Sequence, residues 1–97
     1  MRRAAKVDDN QTAIVDALRQ AGASVFVGSA LGQGFPDIIV GVCFRTGLFE
    51  IKDGNKSPSA RKLTKDQEKF RKGWNGHYCV VKSIDEALLQ LELLKLL

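Results

Sequence analysis

The chain has 97 residues, a formal charge of +4 and a sequence pI near 9.3, with 44% hydrophobic and 27% charged residues. These values leave room for one domain with one hydrophobic core and are those of an ordinary globular protein; the sequence has no repeat or low-complexity tract, and disorder is not expected outside the ends. No apolar run approaches the roughly 18 residues that span a bilayer, and the N-terminal MRRAAKVDDNQ lacks the apolar region of a signal peptide, so a cytoplasmic protein with no membrane partner is expected.

In chain order, Asp8 or Asp9 is expected to cap a helix over about 10–21, with Ile14, Val15, Leu18 and Ala21 at helical spacing and Gly22 as its stop. Ser24–Val27 (SVFV) is β-prone, and the glycine-rich GSALGQGFP after it reads as a loop leading to Asp37. Strands are expected over 37–42 and 47–53, joined as a hairpin by a four-residue turn, Cys43–Thr46. Pro58 marks a second loop, Thr64 caps a helix reaching about Trp74, HYCVVK forms a further strand, and Ser83 with Glu86 forms a capping box for a last helix from Ile84. The fold class that follows is α/β: a single domain with a central mixed sheet and flanking helices in the order αβββαβα. Cys43 and Cys79 make no C-x-x-C pair and, with His77 as the single histidine, no zinc site; both are expected to be reduced and buried.

Side chains alternate across a strand, and directly opposed residues of an antiparallel pair point the same way. With the four-residue turn, Ile39 faces Glu50 and Asp37 faces Lys52. Asp37, Glu50 and Lys52 then share one face, while Ile38, Val40, Phe49 and Ile51 form a uniformly apolar core face. Converging carboxylates repel unless a cation joins them, and magnesium takes oxygen ligands of this kind. A neighbouring lysine can orient or deprotonate an attacking water, chemistry suited to phosphodiester hydrolysis. The same spacing also fits a plainer arrangement, with Asp37 capping a turn after Pro36 and Glu50 and Lys52 solvated on an exposed sheet face.

Pro36-Asp37, followed after twelve residues by Glu50-Ile51-Lys52, resembles the PD-(D/E)XK nuclease signature. More narrowly, GFPDIIVG, LFEIKDG and LTKDQEKF are similar to the VRR-NUC branch, small stand-alone nuclease modules of phages and bacteria, and the resemblance spans nearly the whole chain. It implies a nuclease in which Asp37, Glu50 and the main-chain carbonyl of Ile51 bind Mg2+ or Mn2+ and Lys52 activates water. It also implies that Gln67 lies near the active site, against the plain alternative of a surface polar residue. Where relatives often carry a glutamate early in the first helix, this chain has the amides Asn10 and Gln11, with Asn10 as a further candidate ligand. An amide oxygen can ligate magnesium but brings no negative charge.

From Lys52 to Lys72 there are eight basic and three acidic residues, so the positive charge of the whole chain resides in this segment. Lys56, Arg61, Lys62, Lys65, Lys69 and Lys72 are therefore candidates for holding DNA phosphates, which position without reading sequence; a solvated helix face with pairs such as Asp66–Lys69 or Glu68–Lys72 is the alternative. Phe70 and Trp74 are expected to be core anchors rather than base-stacking platforms. The C-terminal ALLQLELLKLL places leucines almost all round a helix, which points to a second burial partner, most simply a homodimer; deeper burial in one protomer or a frayed tail also fits. The resulting expectation is a structure-selective DNA endonuclease acting on branched DNA such as Holliday junctions, in a bacterial or phage-infected cell. The alternatives are a non-catalytic basic DNA-binding module or a small subunit held to a partner by its leucine helix.

Overall fold

Hydrophobic alternation in DIIV and LFEI decides where the core lies. In the computed structural model, which describes residues 9–97, four strands form one sheet: β1 (Ser24–Val27), β2 (Ile38–Val42), β3 (Arg45–Ile51) and β4 (Tyr78–Val81), side by side in that order. The pairs β1–β2 and β2–β3 are antiparallel and β3–β4 is parallel, so the sheet is mixed. Three helices accompany it, α1 (Gln11–Gln20), α2 (Lys65–Gly73) and α3 (Ile84–Lys95), with 3-10 turns at Ser29–Leu31 and Pro58–Arg61.

One sheet face carries Ile38, Val40, Phe49, Ile51 and Val81, all buried, and packs against Ile14, Val15 and Leu18 of α1 and Ala87, Leu91 and Leu94 of α3. Both long helices therefore cover the same face. The connection from β3 to β4 carries α2 across the other face, and α2 buries none of its residues. That explains why Phe70 and Trp74 are not core anchors, contrary to expectation. Phe70 is half-buried, its ring near those of Phe35 and Tyr78, and Trp74 is 44% exposed, so α2 lies over that face as an outer layer instead of being buried in it.

The hairpin turn is shorter than expected. Val42 pairs with Arg45, leaving Cys43 and Phe44 as a two-residue loop with positive φ at both (51° and 61°), the signature of a type I′ turn. Such a turn normally recruits Asn-Gly; the additional ladder pairs at Arg45 and Thr46 offset the strain of two ordinary residues in this conformation. Register thus moves by two residues, an even number, and every side chain keeps its expected face. Ile39 faces Leu48 instead of Glu50, and one step beyond the Ile38–Phe49 pair Asp37 faces Glu50 instead of Lys52. The turn also explains why Cys43 is exposed, whereas Cys79 packs at the core, where burial pushes its thiol up to about 12.

Helix ends follow local chemistry. Gly22, at φ 96°, closes α1 while Gly22 N–H and Ala23 N–H donate to the carbonyls of Arg19 and Leu18, a Schellman arrangement. Of the expected N-terminal caps, Asp8 lies outside the described residues and Asp9 does not cap; Asn10 holds the cap position, without a side-chain cap bond. Thr64 caps α2 in a full capping box with Gln67. Ser83 Oγ accepts from Glu86 N–H at α3, but the Glu86 carboxylate accepts from Lys82 N–H, so the expected box is completed one residue further out. No helix among the described residues is long and apolar enough to cross a membrane.

Candidate functional site

The face opposite the core begins with an aspartate held by backbone. Gly28 N–H donates to Asp37 O (2.8 Å), which fixes the start of β2, and Ile51 N–H donates to Asp37 Oδ2 (2.7 Å). An extended residue directs its N–H and C=O toward the same neighbour, so the Ile51 carbonyl turns toward the Asp37 flank as well. Glu50, one residue earlier on β3, is only 2% exposed. Its Oε2 accepts from Gln67 Nε2 (3.0 Å) and lies 3.7 Å from Lys52 Nζ, which itself donates to Gln67 Oε1 (2.8 Å). Lys52 is 8% exposed and its N–H donates to Val81 O, so β4 holds it in place beyond the end of β3.

Gln67 is therefore more than a surface residue. Its Oε1 accepts from both Thr64 N–H (2.9 Å) and Lys52 Nζ, which leaves the amide NH2 as the group facing Glu50. The capping box of α2 thus orients the side chain that joins the buried acid to the buried amine. Gly34 makes this approach possible. It has φ 78°, and a Cβ there would lie 2.2 Å from Asp66 O, so only glycine lets the loop before β2 lie against the first turn of α2.

The structure brings Asp37, Glu50, Ile51, Lys52 and Gln67 together and ties Asn10 to the backbone of Lys52. Asn10 Nδ2 donates to the carbonyls of Lys52 and Lys82 (3.2 and 3.3 Å), a tie between strand ends, and the residue lines a different groove with Asp53, Arg61 and Lys82. Gln11, named beside Asn10 in the sequence but not chosen as the candidate ligand, is the first-helix amide that turns inward. It is buried, and its Nε2 donates to Ser29 Oγ (3.3 Å), whose hydroxyl lies 3.5 Å from Asp37 O. The available signal was its position on the apolar stripe, three residues before Ile14. Tyr78 was also missed, although alternation along β4 places it on the Glu50 face. Burial, and then the Glu50 carboxylate, raise its hydroxyl well above the usual tyrosine range.

The basic segment divides. Lys65, Lys69 and Lys72, at one face of α2, line a groove with Leu63, Thr64 and Glu68, while Arg61 faces the Asn10 groove and Lys62 is exposed between them. Lys56 is half-buried. Neither lysine pair named for the alternative reading forms: Glu68 instead binds Arg71 (3.0 Å), whose guanidinium holds that carboxyl below its ordinary range.

Among the described residues no three Asp, Glu, His or Cys side chains converge as a metal-binding group. The oxygen set here is instead two carboxylates on opposed strand positions and a main-chain carbonyl on the same flank, with a buried ammonium beside them. Magnesium, which needs few protein ligands and keeps several waters, is compatible with such a set. Comparison with protein-family models, curated proteins and solved structures found no match to this chain.

Proposed function

We propose that the chain is a magnesium- or manganese-dependent DNA endonuclease of the PD-(D/E)XK type, similar to the VRR-NUC branch, that selects branched DNA and works as a homodimer. The observation that carries this reading is the shared sheet face of Asp37, Glu50 and Lys52, with Gln67 bridging the last two. Buried charges are costly unless they are paired, and here the arrangement spends a buried acid and a buried amine at one edge of the domain. Sites that bind metal and activate water have this character.

In this reading Asp37, Glu50 and the Ile51 carbonyl would hold the divalent ion, which as a Lewis acid would offset charge developing on the scissile phosphate. Ile51 N–H orients the Asp37 carboxylate, and Gln67 orients that of Glu50. Lys52, whose ammonium donates to Gln67, would donate a further N–H to the attacking water and hold it in place, with Gln67 fixing the position of Nζ. Lys65, Lys69 and Lys72 line a groove beside the site and would hold the DNA backbone.

Incubation with junction, flap, nicked and linear DNA in magnesium tests the proposal. Cleavage is expected on at least one branched substrate, reduced more than about a hundredfold by Asp37→Ala or Lys52→Ala while DNA binding persists. Intact DNA across the panel, in magnesium and in manganese, would overturn it in favour of a basic DNA-binding module.

A further inference from the structure

The C-terminal half of α2 carries an aromatic feature that the proposed chemistry does not use. Phe70 stands edge-on to Phe35 of the glycine loop (centroids 5.4 Å, 75°) and stacks with Trp74 (5.6 Å, 17°). The indole is fixed further: Nε1–H donates to His77 O (3.2 Å), and Gly76 packs so closely that a Cβ there would lie 2.9 Å from Nε1. A tryptophan anchored on this many sides and still 44% exposed is a rigid apolar surface presented to solvent. It lines a groove of about 480 Å³ with Phe70, Gly73, Gln33, Asp66 and Lys69. Gln33, across the groove, is held at φ 56°, a conformation that costs a non-glycine residue energy and that the loop maintains.

Lys69 belongs to two grooves. It lines the aromatic one and also the adjoining groove of about 490 Å³ that Lys65 and Lys72 share. Among the described residues Lys65 and Lys69 form no ion pair, so this strip holds positive charge available to a ligand. Aromatic surface beside a lysine strip is what a nucleotide presents the complement of: a flat base and a phosphate. An intact duplex keeps its base faces stacked inside, whereas an unpaired strand offers them.

We propose that this groove binds an unpaired nucleobase of single-stranded DNA, stacked against the Trp74–Phe70 pair, with the adjoining phosphates on Lys69 and its neighbouring lysines. The inference rests on the reading of the chain as a DNA nuclease and deepens it. Gln67 lies one turn before Phe70 on α2, so the groove would place a single-stranded segment beside the carboxylate cluster and make a junction with unpaired bases the preferred substrate.

Trp74 is the single tryptophan of the chain, so its fluorescence reports this groove alone. The full-length protein is titrated, in chelator and without metal, with an oligothymidylate of about ten nucleotides and with a blunt two-strand duplex at equal phosphate concentration. Saturable quenching is expected with the single strand at least about tenfold more tightly than with the duplex, consistent with the cost of losing one stacked base. Gly73→Leu places a side chain into the groove, where a Cβ meets nothing within 4 Å, and is expected to abolish the quenching with the circular dichroism spectrum unchanged. Lys69→Ala is expected to weaken binding severalfold. No quenching by the single strand, equal affinity for the duplex, or quenching unaltered by Gly73→Leu would overturn the proposal. Because no metal is present, quenching without cleavage in the magnesium assay would remove the nuclease reading alone, and cleavage without quenching would remove only the base site.

Discussion

Gln67 shows how a single side chain can carry local structure and site geometry at once. Its Oε1 completes the capping box of α2 and accepts from Lys52, while its NH2 donates to Glu50. Thr64→Ala removes one half of the cap, at a typical cost of about 1 kcal/mol. Gln67→Ala removes the other half and also leaves a buried carboxylate and ammonium to find new partners, so a loss of about 2–3 kcal/mol is expected. Urea unfolding of the two variants checks this, and equal losses would mean that the bonds to Lys52 and Glu50 contribute nothing to stability. The importance of Gln67 was visible in the sequence only through family resemblance, because helical spacing alone cannot say which neighbour a polar side chain on an exposed helix will meet. Gln11 was named with Asn10 but not preferred to it, although its place on the apolar stripe is what turns it inward.

At the scale of elements, the hairpin was legible in its faces and not in its turn. Face assignment depends on parity, and the apolar set Ile38, Val40, Phe49 and Ile51 permits only one parity; the two-residue difference in register left it intact. Turn length depends on the local cost of φ > 0, and Cys43-Phe44 lacks the Asn-Gly signal that would have announced a type I′ turn. Helix α2 was misjudged as a source of core anchors because its amphipathic pattern is real, but its apolar side meets the glycine loop, Tyr78 of β4 and an open groove, and no residue of the helix is buried. The strain in the turn leads to a prediction. Replacing Cys43 by Asn, which tolerates the left-handed region, and Phe44 by Gly, which enters it without steric cost, relieves both positive-φ positions of an exposed tip, and stabilisation by about 1–2 kcal/mol is expected. It would appear as a higher urea midpoint with an unchanged slope. No gain would show that the tip stores no strain, and the register would then need another explanation.

For the whole molecule, the uneven covering of the sheet raises the question of what α3 does with its leucines. Ala87, Leu91 and Leu94 face the core, whereas Leu89, Leu93 and Leu96, again at spacings of four and three, point outward and are exposed, as is Leu97. One helix therefore has two apolar stripes, and its own domain covers only the first. A second copy of the chain, meeting this stripe about a twofold axis, would bury it and present two carboxylate sites to the two arms of a symmetrical junction. Leu93 tests that assembly, since at 44% exposure its replacement by lysine removes little from the core, and surface changes of this kind usually fall within about 0.5 kcal/mol. Sedimentation is expected to give a dimer for the native chain and a monomer for Leu93→Lys, with the thermal midpoint of the native chain alone rising with protein concentration. A native chain that sediments as a monomer at every concentration would remove the dimer and, on the proposed nuclease reading, leave cleavage of a junction to two independent encounters. In that case the paired cuts should separate in time, and a nicked intermediate should accumulate in the cleavage assay.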